Sequence, residues 1–297
     1  MKLNFTKMHG IGNDFIVING IKQSVMMTKE LAKALADRNF GIGADQILLV
    51  EKNNNENADF RYRIFNADGT EVEHCGNGAR CFVRFIHKNG LSNKNPITAE
   101  ISGDILISLH ENTDNSVTVD MGSPNLSPES LPFNNSGLYS KTQAHEILWK
   151  LELAPDINIY FSALSIPNPH AVICVENLDD NFIEKVGPLL ESNARFSQGV
   201  NVGFMQVRDR NNISLRVYER GSGETLACGT GACAAVVSGI RRGLLDSPVH
   251  VHTRGGTLLI FWDGKNVQMQ GPAEFVFDGT IDITNILSLK NNANETI

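Results

Sequence analysis

The stretch that decides the fold is a block that the chain contains twice. Residues 62–79 read Tyr-Arg-Ile-Phe-Asn-Ala-Asp-Gly-Thr-Glu-Val-Glu-His-Cys-Gly-Asn-Gly-Ala. Residues 215–232 read Leu-Arg-Val-Tyr-Glu-Arg-Gly-Ser-Gly-Glu-Thr-Leu-Ala-Cys-Gly-Thr-Gly-Ala. In both copies a cysteine opens a Gly-x-Gly turn, and these residues, Cys75 and Cys228, are 153 positions apart. The repeat predicts two related domains that present equivalent thiols.

The duplication extends beyond the two blocks. Asn13 aligns with Asn168 at an offset of 155, and Gln46 aligns with Asn201 at the same offset, each before an apolar strand pattern. The polar stretch 122–137 contains three prolines, which predicts a boundary there. We therefore expect an N-terminal domain over 1–125 that is completed by a strand from about 274–288, a C-terminal domain over 126–273, and a disordered tail over 290–297.

The secondary-structure patterns predict an α/β (α+β) fold. Short alternating apolar segments dominate both halves and are typical of strands, among them 15–18, 46–50, 105–109, 117–119, 171–175, 202–207, 213–218, 249–252 and 258–262. Residues 28–37 predict an amphipathic helix capped by Thr28, and 181–191 predict another. The segments 78–88 and 231–241 are apolar on nearly every face, which indicates buried helices. We expect two pseudo-symmetric domains, each a curled, mostly antiparallel sheet around a central buried helix.

Composition excludes several classes of protein. The net charge of −7 argues against a nucleic-acid partner, and no apolar stretch is long enough to span a membrane. The first residues lack the apolar run of a signal peptide, so we expect a cytoplasmic location. Five cysteines without a Cys-x-x-Cys pair argue against a disulfide framework and a zinc site. For Cys81, Cys174 and Cys233 we expect the role of small buried apolar residues.

A cysteine at a helix start lies in a distinctive electrostatic environment. The first helical N–H groups lack partners and the helix dipole adds positive charge, so an anion such as a carboxylate can bind there. The same field should lower the pKa of both thiols below the usual value of about 8.5. One thiolate could remove a proton from the carbon beside a carboxylate while the other thiol returns one to the opposite face. That pair of steps inverts a stereocentre.

Other chemistries lack the residues they need. No Gly-x-x-x-x-Gly-Lys phosphate loop is present, and the two Gly-x-Gly segments at 10–12 and 41–43 are too short for a dinucleotide fingerprint. A cysteine hydrolase needs one nucleophile and one base rather than two equivalent thiols. No lysine lies in the repeated blocks to form a Schiff base with pyridoxal phosphate.

Five motifs follow one another along the chain: Lys7-Met8-His9-Gly10-x-Gly12-Asn13-Asp14-Phe15, Asn66-Ala67-Asp68-Gly69-x-Glu71, Cys75-Gly76-Asn77-Gly78-Ala79-Arg80-Cys81, Pro167-Asn168-Pro169-His170 and Tyr218-Glu219-Arg220-Gly221-x-Gly223-Glu224-Thr225-x-Ala227-Cys228-Gly229-Thr230-Gly231-Ala232. Taken in this order they resemble the diaminopimelate epimerase family, from the N-terminus to about Gly279. The resemblance implies interconversion of LL- and meso-diaminopimelate without pyridoxal phosphate or metal, so no cofactor is expected. It also implies a homodimer and a place in lysine and peptidoglycan-precursor synthesis.

The resemblance also implies roles for individual residues. Cys75 and Cys228 would be the acid/base pair, and His170 and Glu219 would bias their protonation. Substrate would be bound by Asn13, Gln46, Asn66, Gly76, Asn77, Asn168, Asn201, Glu219, Arg220, Gly229 and Thr230. Phe277 stands in Val-Phe-Asp-Gly where the family's dimer contact usually has tyrosine. His74 stands where a neutral polar residue is common, and its role is open.

The residues alone leave alternatives open. Taken singly, the asparagines fit turns or strand ends as well as a binding site, and His170 fits a buried core position. A proline or hydroxyproline racemase would share the two thiols but would not need Arg220, Asn66 and Asn201. An isomerase of the same fold would replace the two thiols with other acid/base groups. A non-catalytic module that binds amino acids is the remaining alternative.

Overall fold

A computed structural model describes residues 1–72, 75–102 and 105–287 of the chain. Its contacts divide the chain into two compact units: unit 1 comprises Met1–Val119 with Gly271–Ile297, and unit 2 comprises Asp120–Gln270. The sequence predicted domain boundaries after residues 125 and 273, and these positions remain a prediction; the two units divide after Val119 and Gln270. His74 and the tail over 290–297 lie outside the described residues.

The described residues form strands and four longer α-helices, two in each unit, and residues 283–287 are also helical. The first half contains β1 (Lys2–Gly10), β2 (Asn13–Asn19), α1 (Lys29–Ala36), β3 (Gln46–Lys52), β4 (Phe60–Asn66), β5 (Glu71–Val72), α2 (Gly76–Lys88), β6 (Ile97–Ile101), β7 (Ile105–Glu111) and β8 (Val117–Asp120). The second contains β9 (Ser140–Gln143), β10 (Glu146–Ala154), β11 (Ile157–Ile166), β12 (Asn168–Cys174), α3 (Asp180–Glu191), β13 (Asn201–Asp209), β14 (Asn212–Glu219), β15 (Gly223–Thr225), α4 (Gly229–Arg241), β16 (Val249–His252), β17 (Thr257–Trp262), β18 (Val267–Gly271) and β19 (Glu274–Asp282).

The two units share one strand order, to which unit 2 adds β9 at one edge. In unit 1 the order is β19-β1-β2-β3-β4-β6-β7-β8, with β5 added to β4. In unit 2 it is β9-β10-β11-β12-β13-β14-β16-β17-β18, with β15 added to β14. Parallel pairs occur at equivalent places in the two units: β2–β3 corresponds to β12–β13, and β4–β6 corresponds to β14–β16. The other neighbouring strands in these orders are antiparallel. The prediction of a mostly antiparallel, duplicated architecture is confirmed.

Strand register repeats as well. Phe15 lies opposite Gln46 in the parallel pair of unit 1, and His170 lies opposite Asn201 in that of unit 2. The offset of 155 residues seen in the sequence therefore corresponds to equivalent rungs of the two sheets. As a result, Gln46 and Asn201 begin the central strand of their respective units.

Each sheet curls around one buried helix. Helix α2 contacts β1, β2 and β3 and also the distant strand β7, while α4 contacts strands from β11 to β17. Arg80 of α2 is fully buried, and its Nε donates to the Pro272 carbonyl at 2.9 Å. Cys81 and Cys233 are fully buried in these helices, as expected, while Cys174 is half-buried.

The helix boundaries correct the prediction in one respect. Thr28 caps α1, since its hydroxyl accepts from the Leu31 N–H at 3.2 Å. However, α2 and α4 begin at Gly76 and Gly229, two residues before the predicted starts, so the cysteines themselves are the N-caps. The Gly-x-Gly segments thus form the first helical turns, although glycine has low helix propensity. Within the described residues, each helix is too short or too polar to cross a bilayer.

Candidate active site

Cys75 lies at the N-terminus of α2 in unit 1. Its backbone is extended, with φ −143° and ψ 108°, and its Sγ accepts from the Gly78 N–H at 3.4 Å. Glycine is required at position 78, because a Cβ there would lie 2.3 Å from the Tyr62 hydroxyl oxygen. The Tyr62 hydroxyl donates to the Cys75 carbonyl at 3.5 Å. The tight approach of β4 to the helix start therefore fixes the position of the thiol.

Asn13 contacts the Cys75 thiol and is itself hydrogen-bonded to Asn77. Asn13 Oδ1 lies 3.7 Å from Cys75 Sγ and accepts from Asn77 Nδ2 at 3.3 Å. The Asn13 Nδ2 donates to Asp45 at 2.9 Å, a contact that the sequence did not predict. The predicted residues Asn13, Cys75 and Asn77 are therefore brought together, with Asp45 as an additional member.

Gln46 and Asn66 form a second polar pair in unit 1. The two residues face each other across β3 and β4, and Gln46 Nε2 donates to Asn66 Oδ1 at 2.8 Å. Gln46 Oε1 and Asn77 Oδ1 are buried and have no hydrogen-bond partner within the described part of the chain. Since buried polar atoms are nearly always paired, these oxygens are suited to accept from a bound ligand such as an ammonium group.

Cys228 occupies the equivalent position at the start of α4 in unit 2. It is 5% exposed, and its Sγ lies 3.5 Å from Thr230 Oγ1. Burial, followed by the charge of Glu219, raises the pKa of Cys228 well above its usual value. The expectation that the helix start lowers the pKa of both thiols is thus wrong for Cys228, because desolvation and a neighbouring carboxylate outweigh the helix dipole.

Four predicted residues of unit 2 form two adjacent hydrogen-bonded sets, His170 with Asn168 and Asn201 with Arg220. His170 Nε2 lies 2.9 Å from Asn168 Oδ1, Asn201 Nδ2 donates to the Pro169 carbonyl at 3.1 Å, and the Arg220 N–H donates to Asn201 Oδ1 at 3.1 Å. Burial, with a contribution from Arg220, lowers the pKa of His170 to about 3. His170 is therefore a neutral imidazole at ordinary pH.

Glu219 is the last residue of strand β14 and Arg220 follows it, and different groups hold their side chains. The Glu219 carboxylate accepts from the Thr225 hydroxyl, a residue that the sequence did not suggest. Arg220 donates to the Gln198 carbonyl at 3.0 Å, and its stem packs against Gly199. A single backbone contact leaves other guanidinium donors for an anionic ligand.

A matched ion pair braces each cysteine block. Arg63 Nε donates to Glu71 at 2.7 Å in unit 1, and Arg216 Nε donates to Glu224 at 2.6 Å in unit 2. Both pairs are bidentate. The repeat aligned these residues, and the structure shows that each pair joins the strand before the cysteine to the short strand leading to it.

Phe277 is separate from both groups. It lies on β19, is 49% exposed, and makes an edge contact with Phe5 at 5.9 Å between ring centroids. No cluster of three His, Cys, Asp or Glu residues suited to a metal ion occurs among the described residues.

Comparison with known proteins places these features in a family. A family model described as diaminopimelate epimerase matches residues 5–127 and 162–276. The diaminopimelate epimerase of Cupriavidus pinatubonensis is 56% identical over 95% of this chain and 98% of its own length. That of Burkholderia ambifaria is 53% identical over 96% and 100%.

Solved structures with low identity share the fold. A hydroxyproline epimerase from Agrobacterium vitis with bound trans-4-hydroxy-L-proline has a TM-score of 0.66 at 12% identity, covering 94% of this chain and 92% of its own. A phenazine biosynthesis protein of the PhzF family from Bacillus anthracis has a TM-score of 0.65 at 16% identity, covering 95% and 99%. At these identities the likeness concerns the fold alone.

Proposed function

The chain belongs to the diaminopimelate epimerase family and interconverts LL- and meso-diaminopimelate, a step of lysine biosynthesis, and we propose that Cys75 and Cys228 exchange the proton in a two-base reaction. The observation that carries this proposal is that both thiols occupy the N-cap of a buried helix in their own units. Each N-cap combines an acid/base group with free backbone donors.

The reacting carboxylate would bind to the first backbone N–H groups of the helices, contributed by Gly76 and Asn77 and by Gly229 and Thr230. These donors would stabilise the negative charge that develops when the α-proton leaves. Since glycine has no Cβ, the chain at Gly76 and Gly229 leaves room for the ligand to approach the backbone.

The two thiols have opposite roles in the proposed proton transfer. In the LL-to-meso direction, the Cys75 thiolate takes the α-proton, and the electron pair of the C–H bond remains on the carbon and its carboxylate. The Cys228 thiol then donates its proton to the opposite face and becomes a thiolate. The raised pKa of Cys228 supports its role as the proton donor in this direction. General acid/base steps of this kind contribute roughly 10²–10⁴-fold each.

The second amino-acid centre of the substrate needs polar partners away from the reacting carbon. We infer that Arg220 holds its carboxylate and that Asn66, Asn168 and Asn201 add hydrogen bonds, while Glu219 accepts from an ammonium group. Asn13 and Gln46 would complete the contacts. Neutral His170 would keep Asn168 in place without adding charge.

A substrate panel tests this assignment against the racemases of the same fold. The purified protein should convert LL-diaminopimelate and leave L-proline and trans-4-hydroxy-L-proline unchanged. Turnover of proline without turnover of diaminopimelate would overturn the substrate. Tight binding of diaminopimelate without any exchange of its α-hydrogen would instead indicate a binding module.

We also propose a cytoplasmic homodimer in which Phe277 contributes to the subunit contact. The half-exposed ring on β19 supports this, together with the neighbouring Val276, which is 54% exposed. Phe277→Asp should convert the dimer to a monomer in analytical ultracentrifugation. Met26→Asp, at a residue that is 84% exposed in the same unit, is the control and should leave the dimer intact. A monomeric wild-type protein would contradict the proposal.

A further inference from the structure

Asp45 is placed to control the orientation of the amide beside Cys75. Its carboxylate accepts from Asn13 Nδ2 at 2.9 Å, from the Asp14 N–H at 3.2 Å and from Arg38 at 2.8 Å. Arg38 also donates hydrogen bonds from both terminal nitrogens to the Asp14 carboxylate, at 3.0 and 2.7 Å. The Asp45 side chain is thus held by three donors, although it lies immediately before β3 and is partly exposed.

The chemistry of the carboxylate settles which end of the Asn13 amide faces the thiol. An ionised carboxylate accepts hydrogen bonds and cannot donate them, so the NH₂ group of Asn13 must face Asp45. The carbonyl oxygen must then face Cys75 Sγ, 3.7 Å away, and Asn77 Nδ2, 3.3 Å away. An oxygen at this position accepts the proton of a thiol and repels a thiolate.

Unit 2 lacks this arrangement. The positions equivalent to Asp14 and Asp45, at the offset of 155, are Pro169 and Val200, which have no carboxylate. Asn168, the equivalent of Asn13, is instead 2.9 Å from His170 Nε2 through its own Oδ1. The two matched asparagines are therefore oriented by different groups in the two units.

We propose that Asp45 is a positioning residue for the epimerase reaction, which orients the Asn13 amide so that its oxygen holds the proton of Cys75. Asp45 thereby stabilises the protonated thiol of Cys75, the state that Cys75 reaches once it has taken the α-proton, and it directs the S–H bond toward Asn13. This inference rests on the proposed acid/base role of Cys75, and it assigns Asp45 an action through Asn13 rather than on the substrate.

Other charged and titratable groups face this region from the packed elements. They are Lys7 of β1, Asp14 of β2, Arg38, Tyr62 of β4, and Arg80 and Cys81 of α2. Lys7 and Arg38 each form an ion pair with Asp14, and these pairs keep the pKa of Asp14 low despite its burial. Burial raises the pKa of both Tyr62 and Cys81, so these groups stay neutral through the assay range. Glu73 and His74 lie outside the described residues and are unchanged in every variant below.

The test measures the protonation of Cys75 without using epimerisation. Iodoacetamide reacts with thiolate, so the rate of alkylation of the Cys75 peptide, followed by mass spectrometry against pH, gives the midpoint of its ionisation. Asp45→Asn keeps the shape of the side chain, but the new amide can donate a hydrogen bond as well as accept one. The Asn13 amide can then turn and point its NH₂ group at the Cys75 thiolate. The midpoint should move to lower pH by about half a unit or more. Asp59→Asn removes another paired carboxylate of unit 1, bound to Lys94 and the Thr98 N–H, and should leave the midpoint unchanged.

A double-mutant cycle separates the amide orientation from simple loss of charge. Asn13→Ala alone should lower the midpoint, and this variant tests the oxygen contact even if Asp45→Asn fails to fold. In the Asn13→Ala background, Asp45→Asn should cause no further shift. An unchanged midpoint in folded Asp45→Asn would overturn the inference. So would an Asp45→Asn shift that is equally large in the wild-type and Asn13→Ala backgrounds. Neither result would affect the substrate assignment, which fails only if diaminopimelate is not epimerised.

Discussion

Cys75 and Cys228 occupy the same structural position, the N-cap of a buried helix of 13 residues, in units that share one strand order. Their surroundings differ, however. Cys75 is half-buried beside the Asn13 amide, while Cys228 is buried near Glu219. A duplicated scaffold thus supplies equivalent thiols, and the residues around them make the two thiols chemically distinct.

The raised pKa of Cys228 gives a prediction about pH dependence. The thiol is the less reactive state, so Cys228 should alkylate more slowly than Cys75 near neutral pH. Burial is the larger cause of the raised pKa, and Glu219 is the next. Glu219→Gln removes the carboxylate charge, so the pKa should fall and the alkylation of Cys228 should begin at lower pH. Glu152→Gln, on β10 of the same unit, is the control and should not change the alkylation profile.

The matched ion pairs predict unequal contributions to stability. Glu224 is 18% exposed and its partner Arg216 is 8% exposed, whereas Glu71 and Arg63 are 36% and 25% exposed. Glu224→Gln should lower the free energy of unfolding by about 1–3 kcal/mol, because it leaves a buried guanidinium partly unpaired. Glu71→Gln should cost less than about 1 kcal/mol, since solvent screens the pair. Urea unfolding measures both, and equal losses would contradict the burial argument.

The close approach at Gly78 predicts a steric effect with a specific rescue. In Gly78→Ala the new Cβ would meet the Tyr62 hydroxyl, so we expect a loss of about 1–3 kcal/mol and reduced activity. Tyr62→Phe removes the hydroxyl, and the double variant Gly78→Ala with Tyr62→Phe should recover much of the stability. Thermal unfolding of the four proteins checks this. Additive losses in the double variant would show that the clash is not the cause.

Arg220 provides a prediction about substrate binding. If its guanidinium holds the distal carboxylate, Arg220→Ala should weaken binding by about 2–5 kcal/mol, seen mainly as a higher KM. Arg208→Ala is a matched control, because Arg208 donates to Ser214 at 2.6 Å and has no proposed contact with substrate. Steady-state kinetics on LL-diaminopimelate distinguishes the two. An unchanged KM and kcat in Arg220→Ala would remove its proposed role.

The repeat and the family motifs predicted the architecture, because residues 155 positions apart in the sequence occupy equivalent positions in the strand pairs of the two units. Strands β1, β4, β5, β6, β9, β10, β11, β15 and β18 were not anticipated. In β10, for example, Glu146, Lys150 and Glu152 interrupt the apolar alternation. The helix starts were placed late because Gly-x-Gly was treated as a turn rather than as helix.

The sequence likewise predicted only part of the candidate site. The candidate residues of each unit lie close to one another, yet their partners Asp45, Tyr62 and Thr225 follow from tertiary contacts that no spacing encodes. The high pKa of Cys228 also depends on burial, which a helix-start pattern does not reveal. One signal was present in the sequence: position 45 carries a carboxylate and its match, Val200, does not.

The central claim is that the proton is removed by one thiol and returned by the other. The most direct measurement is the deuterium content of both isomers after brief conversion of LL-diaminopimelate in deuterated water. The two-base account predicts meso product with one deuterium at the inverted carbon and recovered LL substrate with essentially none. Product that retains its original hydrogen at that carbon, together with deuterium in the recovered substrate, would indicate a single base and contradict the account.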